Sequence, residues 1–248
     1  MEILDLENIS FGYADIGPQI ISDVSFTVNK GDFVSIVGPS GCGKSTLLRI
    51  IAGLVKSSGG NILYHEKRIA GPVSKISFVF QDFALMPWLT NLENVKIGLS
   101  RVDISDDEKA RRAKNLLERV GLSGLGSSYP NALSGGMKQR VGIARAIASD
   151  PEVLLMDEPF SALDELTANT LRGDIVYMLE SKDISVNAVI MVTHNVEEAV
   201  ELSNKIVVLS SKPSKIKRII NINSSRPRNK RAPEFTKIVD LVYATLAR

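Results

Sequence analysis

The chain has 248 residues, of which 44% are hydrophobic and 23% charged, a composition typical of one globular domain or one domain with an inserted subdomain. Its single cysteine excludes a disulfide framework, and its two histidines are too few to build a zinc site. No uncharged apolar run approaches the roughly 20 residues that a membrane helix needs, and the amino-terminal residues lack the pattern of a signal peptide. We therefore expect a soluble protein of the cytoplasm.

Basic residues are concentrated near the carboxyl-terminus. Residues 1–204 carry 19 basic and 26 acidic side chains, whereas residues 205–248 carry 11 basic and two acidic ones. A basic segment of this kind can attract anionic lipid or nucleic acid, or it can balance an acidic body. Because the basic side chains do not alternate with aromatic ones, as base stacking would require, we do not predict nucleic-acid binding.

The first part of the chain has the pattern of short strands. Strands are predicted at residues 3–9, 24–28, 32–37, 62–64 and 76–80. Turn-forming residues 12–18 separate the first two, and the third is apolar and stops at Gly38. A helical pattern then runs from Lys44 to about Leu54, before a turn at residues 57–60.

The pattern becomes helical from about residue 82 to 148. Ser105 or Asp106 can cap one helix of this block, which Gly121 ends, and Ser134 can cap a second helix. Beyond the block, strands are predicted at residues 153–156, 188–192 and 206–209, and helices at residues 166–179 and 196–202. Such alternation implies a parallel sheet with helices on both faces, into which the helical block is inserted.

A glycine-rich segment separates the third predicted strand from the first predicted helix. It consists of Gly38, Pro39, Ser40, Gly41, Cys42, Gly43, Lys44, Ser45 and Thr46, and it fits the pattern G-x-x-x-x-G-K-[ST]. In such a loop backbone N–H groups surround phosphates, and the following helix adds the positive end of its dipole. Lys44 can reach the β- and γ-phosphates and the Ser45 hydroxyl can ligate Mg²⁺. The motif predicts nucleotide binding, without indicating what the nucleotide drives.

Two carboxylates follow the apolar strand predicted at residues 153–156. Asp157 lies where a strand-end carboxylate can hold the shell of a Mg²⁺ ion. Glu158 can polarise a water molecule for in-line attack on the γ-phosphate. Alone, such a pair is usually the exposed end of a strand, but together with a phosphate loop it predicts ATP hydrolysis.

The order of several short motifs resembles that of the ATP-binding cassette (ABC) ATPase family. The decisive one is Leu133-Ser134-Gly135-Gly136-Met137-Lys138-Gln139-Arg140, which resembles the LSGGQ signature of the family. The others resemble its Q-loop at Gln81, its D-loop at Ser161-Ala162-Leu163-Asp164, its H-loop at Val192-Thr193-His194 and its adenine-stacking aromatic residue at Tyr13. The resemblance extends over essentially the whole chain.

This resemblance implies an α/β fold: a P-loop NTPase sheet with N-terminal antiparallel strands and an inserted α-helical signature subdomain. It implies that residues 1–248 form a single ABC ATPase domain. Within that domain, residues 1–81 and 149–230 would form the nucleotide-binding core and residues 82–148 the helical subdomain. A C-terminal helix would occupy residues 231–248.

The resemblance also implies a site for ATP and Mg²⁺. Catalytic roles fall to Glu158, His194 and Gln81, and His194 would bridge the γ-phosphate and Glu158. The implied Mg²⁺ ligands are Ser45, Gln81 and Asp157. ATP-binding residues would be Tyr13, the phosphate loop Gly38 to Thr46, Ser134, Gly135, Gly136 and Asp164. His65, in a predicted turn, is interpreted as structural.

In the family two cassettes face each other head to tail, so that each ATP lies between one phosphate loop and the signature of the partner. The resemblance therefore implies an ATP-dependent dimer, most simply a homodimer. It also implies a transmembrane permease and, through it, a solute-binding protein, with the cassette peripheral on the cytoplasmic face of the membrane. The substrate would be chosen by those subunits, so this sequence does not name it.

One segment indicates a branch of the family. Residues 80–90, which include Met86-Pro87-Trp88 and are followed by Asn94-Val95, resemble the ATPases of nitrate, sulfonate and taurine importers, as do Gly71-Pro72 and Arg226-Pro227-Arg228. In that branch the segment lies in the region that receives a coupling helix of the membrane subunit. An exposed Trp88 could anchor such a helix, or Trp88 could instead pack in the core of the helical block.

Three positions depart from the family pattern without removing a catalytic group. Met137 replaces the signature glutamine, and Ala168 stands where importers often have arginine. Asn195 replaces the aspartate that usually follows the H-loop histidine, and we expect this change to loosen the turn.

Two other functions occur in the superfamily. A DNA-repair or chromosome ATPase needs a long coiled-coil insertion, but only 112 residues without heptads separate Lys44 from Asp157. That function is rejected. A soluble cassette that acts as an ATP-gated assembly component, as in iron–sulfur cluster biogenesis, would have the same ATP site and remains the alternative to an importer ATPase.

Overall fold

The computed structural model describes residues 1–13, 18–180 and 185–247. Part of the predicted turn at residues 12–18 and the last residue of the predicted C-terminal helix lie outside them. The chain divides into two compact units, one formed by Met1–Val73 with Asn187–Arg248 and the other by Ser74–Val186. The motif-based division at residues 82, 149 and 231 remains a prediction.

An antiparallel sheet forms the first part of the first unit. Its strands are β1 (Glu2–Gly12), β2 (Gln19–Asn29), β4 (Gly59–Tyr64) and β5 (Lys67–Arg68), in the order β2-β1-β4-β5. Apolar side chains such as those of Leu4 and Leu6 are buried, which is the pattern expected of a sheet with one covered face. The predicted N-terminal antiparallel strands are confirmed.

The predicted turn at residues 57–60 is shorter than expected, because β4 already begins at Gly59. Gly60 has a positive φ of 81°, and a Cβ atom there would overlap the backbone carbonyl of Glu7 on β1. Glycine therefore allows the two strands to approach closely. Gly60, which contributed to the predicted turn, thus serves the close approach of β4 to β1 instead.

A second sheet of the first unit contains β3 (Phe33–Val37), β8 (Ala188–Val192), β9 (Lys205–Leu209) and β10 (Ile216–Asn221), in the order β10-β9-β3-β8. β3 runs parallel to β8 and β9, as predicted, and all five residues of β3 and of β8 are buried. β10 pairs antiparallel with β9 and exposes Lys217 and Arg218. Charged residues interrupt its hydrophobic pattern, which is why the sequence did not predict it.

Among the residues of the first unit that the structure describes, the helices are α1 (Lys44–Ile51), α6 (Val196–Leu202) and α7 (Pro233–Ala247). α1 ends earlier than the predicted Leu54, since Gly53 has a left-handed φ of 70° that stops the helix. α6 and α7 pack with β9 and β10 around one hydrophobic cluster that includes Val200, Ile220 and Val242.

Two arginines of the basic segment hold the end of α6. Arg228 Nη1 donates to the carbonyls of Val200 (2.7 Å), Glu201 (3.1 Å) and Ser203 (2.7 Å). Arg226 Nη1 donates to Leu202 O at 2.9 Å. These bonds satisfy carbonyls that a helix end leaves without intrahelical partners, and they place positive charge at the negative end of the dipole. At these two positions the basic residues have a structural role.

Replacing Arg228 by Ala is expected to lower the free energy of unfolding by about 2 kcal/mol, since hydrogen bonds from charged donors contribute roughly 1.5–3 kcal/mol. For a chain of this size the melting temperature should fall by about 4–8 °C, measured by calorimetry. Arg231→Ala is the matched control, because Arg231 is an exposed arginine three residues away. An equal effect of both substitutions would contradict the capping role.

In its described residues, 74–180 and 185–186, the second unit combines two parallel strands with four α-helices. The strands are β6 (Ile76–Val79) and β7 (Val153–Asp157), and the helices are α2 (Asn91–Ile97), α3 (Asp106–Arg119), α4 (Gly135–Ile147) and α5 (Glu165–Glu180). α2, α3 and α4 share a hydrophobic cluster that includes Val95, Leu117 and Val141. The predicted helical block is therefore present.

Side-chain caps begin α2, α3 and α4. Thr90 and Glu93 form a capping box at α2, the Ser105 hydroxyl accepts from Glu108 N at 3.2 Å, and the Ser134 hydroxyl accepts from Met137 N at 3.3 Å. Of the two predicted caps of α3, Ser105 is thus the one used. The prediction for Ser134 is confirmed.

Candidate active site

The glycine-rich loop joins β3 to α1, as the sequence predicted. Gly43 precedes Lys44 with a φ of 104°, and Gly41 has a φ of 72°. A Cβ atom at Gly38 would lie 2.9 Å from Cys42 Sγ, and one at Gly43 would lie 2.8 Å from Ile20 Cγ2. The loop therefore adopts this backbone conformation only because these positions are glycine.

Lys44 is the cation of this loop, and only 6% of it is exposed. Its Nζ donates to the carbonyls of Gly38 at 2.9 Å and Pro39 at 3.1 Å. An ammonium has three donors, so a further one is left for a ligand above the loop. Burial raises the pKa of the neighbouring Cys42 thiol, while the charge of Lys44 acts in the opposite direction. Cys42 is therefore a neutral packing residue at neutral pH.

Tyr13 lies beside the glycine-rich loop. It follows the last residue of β1 in the connection to β2. Its hydroxyl is 3.4 Å from Thr46 Oγ1, and its ring contacts Phe11 edge-on with centroids 5.2 Å apart. The residue is 76% exposed. An exposed ring beside a phosphate loop is available for stacking on a planar base.

The two predicted carboxylates lie at the end of β7 in the second unit. Asp157 is 2% exposed, whereas Glu158 has a left-handed φ of 44°. Non-glycine residues rarely adopt this conformation, and it often occurs at functional sites. Gln81 Nε2 lies 3.4 Å from Glu158 Oε2 and 3.4 Å from Ser161 Oγ. The structure thus brings Gln81 and Glu158 together.

The signature residues begin α4 in the second unit. Ser134 is the N-cap, and Gly136 is buried against α5, where an added Cβ atom would overlap Thr167 Cγ2. Asp164 caps α5: its carboxylate accepts from Thr167 Oγ1 at 2.7 Å and Thr167 N at 3.0 Å. These two hydrogen bonds lower the pKa of Asp164. Asp164 therefore caps α5, in addition to the role in ATP binding that the resemblance predicts.

His194 follows β8 in the first unit and is exposed. Its neighbour Asn195 is the N-cap of α6, and Asn195 Oδ1 accepts from Glu197 N at 2.9 Å and Glu198 N at 3.2 Å. The amide oxygen thus caps the helix as a carboxylate would, and the expectation that asparagine loosens this turn stays a prediction. His65 packs its ring against Tyr64 in a turn, consistent with a structural role.

The environment of Trp88 excludes one of its two predicted roles. Trp88 is 70% exposed, so the prediction of a core tryptophan is wrong. Two residues hold the segment around it, Asn94 on α2 and Arg145 on α4. The resemblance to the importer branch included Asn94 but did not predict that its side chain binds this segment, and no sequence signal pointed to Arg145.

Comparison with known proteins identifies the family of this chain. The sequence model of the ABC transporter family matches residues 21–161, which include the phosphate loop, the signature and the Asp157-Glu158 pair. The chain belongs to the ABC transporter family. This ABC cassette is an ATPase by family membership, and its α/β fold is the one that the resemblance implied.

Two relatives of the cassette cover most of its length. An uncharacterized ABC transporter ATP-binding protein of Methanocaldococcus jannaschii is 43% identical over 234 residues, 94% of this chain and 86% of that protein. An aliphatic sulfonates import ATP-binding protein of Bacillus thuringiensis is 45% identical over 220 residues, 89% of this chain and 85% of that protein.

Solved structures resemble the cassette along nearly its whole length. One is a dimeric ATP-binding cassette in a post-hydrolysis state bound to ADP and Pi, with a TM-score of 0.76 and 32% identity, covering 90% of this chain and 100% of that one. Another is cbiO1 of Clostridium perfringens, part of an ABC transporter complex, with a TM-score of 0.77 and 28% identity, covering 89% and 88%. Among the described helices of our cassette, none is long and apolar enough to cross a membrane.

Proposed function

We propose that this cassette is the ATP-binding and ATP-hydrolysing subunit of an importer that takes up a small solute, of the sulfonate, nitrate or taurine type, through a separate membrane permease. The observation that carries the proposal is the 45% identity to an aliphatic sulfonates import ATP-binding protein over 89% of this chain. The exposed Trp88 in the segment typical of that branch supports it. In this role the cassette lies on the cytoplasmic face of the membrane.

Binding of ATP is assigned to the phosphate loop of the first unit. The N–H groups from Gly38 to Thr46 would surround the phosphates, and Lys44 would add its remaining donor and its charge. The exposed ring of Tyr13 would stack on the adenine. Each of these groups interacts with a different part of the nucleotide, so substitutions should affect ATP, ADP and adenosine differently.

The residues present fit a Mg²⁺ ion. Ser45 at the start of α1, Gln81 and the buried carboxylate of Asp157 would hold it, and all three offer the oxygen ligands that this ion prefers. Among the residues that the structure describes, no three His, Cys, Asp or Glu side chains cluster as a metal site of their own. A small number of protein ligands is suitable for Mg²⁺, because this ion also keeps water molecules and phosphate oxygens as ligands. The ion would neutralise negative charge on those phosphate oxygens.

Hydrolysis is assigned to Glu158 with Gln81 and His194. The Glu158 carboxylate would accept a hydrogen bond from the attacking water and polarise it. Gln81, whose amide lies 3.4 Å from Glu158 Oε2, would orient that carboxylate. His194 would hold the γ-phosphate in line with the water. Asp157 is the last residue of β7, whereas Glu158 has a left-handed backbone, so the two carboxylates belong to different local conformations and are assigned separate roles.

A second cassette would complete the site. Ser134, Gly135 and Gly136 begin a helix of 13 residues, and such an N-terminus attracts phosphate. The related post-hydrolysis cassette is dimeric. We infer that two copies of this chain bind ATP between a phosphate loop and the partner's signature, with Asp164 near the same ATP, and that hydrolysis releases them. A solute-binding protein would act through the permease.

Replacing Trp88 by Ala is expected to uncouple the cassette from its permease. Truncating a central interface tryptophan typically costs 2 kcal/mol or more, roughly thirty-fold in affinity. Since Trp88 is 70% exposed, its truncation should change the free energy of unfolding by only about 0.5 kcal/mol. Permease binding and transport should therefore fall while the melting temperature and the solution ATPase rate stay near wild type.

The control for this experiment is Tyr243→Ala, which truncates another exposed aromatic residue on α7. It should leave permease binding unchanged. Normal binding by the Trp88→Ala variant would remove Trp88 from the interface. Failure of the wild-type cassette to co-purify with any multi-spanning protein in mild detergent would instead favour the soluble assembly ATPase, an alternative that the importer relatives disfavour.

A further inference from the structure

The segment that follows Gln81 contains an unusual turn. Phe83 and Ala84 have φ values of 63° and 46°, so two successive residues that are not glycine adopt the left-handed conformation. Side chains with a Cβ atom disfavour this region, and such residues persist only where the surroundings hold them there. The turn must therefore be stabilised by contacts from elsewhere in the second unit.

Arg145 on α4 supplies those contacts. Its Nη1 donates to Ala84 O at 2.6 Å and its Nη2 donates to Phe83 O at 2.9 Å. The guanidinium is a rigid planar fork, so it binds both carbonyls at once, whereas a lysine ammonium is a single point on a flexible chain.

The other end of the segment is tied to α2. Asn94 is fully buried; its Oδ1 accepts from Met86 N at 2.8 Å, and its Nδ2 donates to the carbonyls of Met86, Leu89 and Thr90 at 3.0–3.1 Å. We call residues 83–90 the presenting segment. Within it Met86, Pro87 and Trp88 are exposed, and Trp88, at 70%, has the largest exposed side chain.

We propose that Arg145 is a positioning residue: by binding the carbonyls of Phe83 and Ala84 it holds the presenting segment in the one arrangement that offers Trp88 to a partner. The proposal rests on the proposed function in one respect, namely that the partner is the permease. Because Arg145 and Ser134 belong to the same helix, the contact also links the signature to the presenting segment. Movement of α4 would thus reach Trp88 through two hydrogen bonds.

The test uses Arg145→Lys in the full chain, which keeps the charge and loses the two-carbonyl fork. Trp88 is the only tryptophan, so its fluorescence anisotropy reports the mobility of the presenting segment directly. We expect lower anisotropy and about tenfold faster hydrogen exchange of the amides in residues 83–90, with unchanged ATP affinity of the isolated cassette. In the assembled complex, transport per ATP hydrolysed should fall.

Arg140→Lys is the matched control, since this arginine lies on the same helix but donates to Val120 O and pairs with Asp174. It should leave exchange in residues 83–90 and the anisotropy of Trp88 unchanged. Adding Ala84→Gly to Arg145→Lys should restore part of the lost protection, because glycine adopts the left-handed conformation without steric cost. A purely structural role of Arg145 would not be rescued in this way.

Should Arg145→Lys fail to fold, Ala84→Val gives the same answer from the other side of the contact. A β-branched residue strongly disfavours a positive φ, so residues 83–90 should again exchange faster. The proposal would be overturned if hydrogen exchange in the presenting segment of either variant were as slow as in the wild type. It would also be overturned if Arg140→Lys showed the same increase in exchange. If Trp88→Ala binds the permease normally, the docking claim fails, whereas hydrogen exchange still decides the role of Arg145.

Discussion

The Glu158→Gln variant should hydrolyse ATP about 10²–10⁴ times more slowly than the wild type, which is the range of a general base. The amide keeps the shape of the side chain but loses the charge that polarises the attacking water. ATP binding should persist, because Glu158 does not belong to the phosphate loop. Bound ATP would then hold two cassettes together, so gel filtration with ATP and Mg²⁺ should show a stable dimer.

The control is Glu197→Gln, which removes the charge of an exposed carboxylate in the first turn of α6. It should turn over ATP like the wild type and form no lasting dimer. A Glu158→Gln variant with a normal rate would show that another group activates the water. A slow variant that remains monomeric with ATP would separate the catalytic assignment, which would stand, from the proposed dimer, which would not.

The Lys44→Ala variant should lose affinity for ATP rather than catalytic rate alone. Hydrogen bonds with a charged donor contribute about 1.5–3 kcal/mol. Losing one should therefore raise the dissociation constant for ATP roughly 10–150-fold. The loss should be larger for ATP than for ADP and absent for adenosine, because Lys44 is assigned to the β- and γ-phosphates. Isothermal titration calorimetry with the three ligands measures the difference.

Lys56→Ala provides the comparison for Lys44→Ala, since Lys56 is an exposed lysine beyond the end of α1. It should bind all three ligands with wild-type affinity. Lys44 also donates to two carbonyls of its own loop, so the melting temperature of both variants belongs in the experiment. An equal loss for ATP and adenosine would indicate a disordered loop rather than a missing phosphate contact.

These two substitutions address different units of the chain. Lys44 lies in the unit formed by Met1–Val73 and Asn187–Arg248, and Glu158 lies in Ser74–Val186. Binding and hydrolysis can therefore be tested separately. Arg145→Lys adds a third readout, since it should change neither binding by the isolated cassette nor the phosphate loop, but only the presenting segment and what depends on it.

Local signals in the sequence were sufficient for the phosphate loop and for most helix starts. Gly38 to Thr46 is one continuous segment between a buried strand and a helix, so its pattern and its geometry coincide. Ser105 and Ser134 cap helices by bonding to backbone N–H groups three residues away. Interactions of such short range depend little on the rest of the fold, and the sequence therefore predicts them.

Other parts were decided by packing between distant residues. Arg145 contacts Phe83 and Ala84 across about sixty residues, and neither phenylalanine nor alanine signals a left-handed turn as glycine or asparagine would. Arg228 reaches the end of α6 across 25 to 28 residues. The basic segment looked like a charged surface, yet two of its arginines are helix caps.

The sequence by itself determined the chemistry of this protein: a phosphate loop, a carboxylate pair and a signature motif in the order of an ABC cassette. It could not determine whether Trp88 is buried or exposed, because a tryptophan beside proline and leucine is compatible with either. The tertiary structure decided this. Hydrogen bonds from Asn94 and Arg145 hold the backbone on both sides of Trp88, and the Trp88 side chain is exposed. A side chain's exposure depends on which distant groups satisfy the backbone around it, and that information is present only in the folded chain.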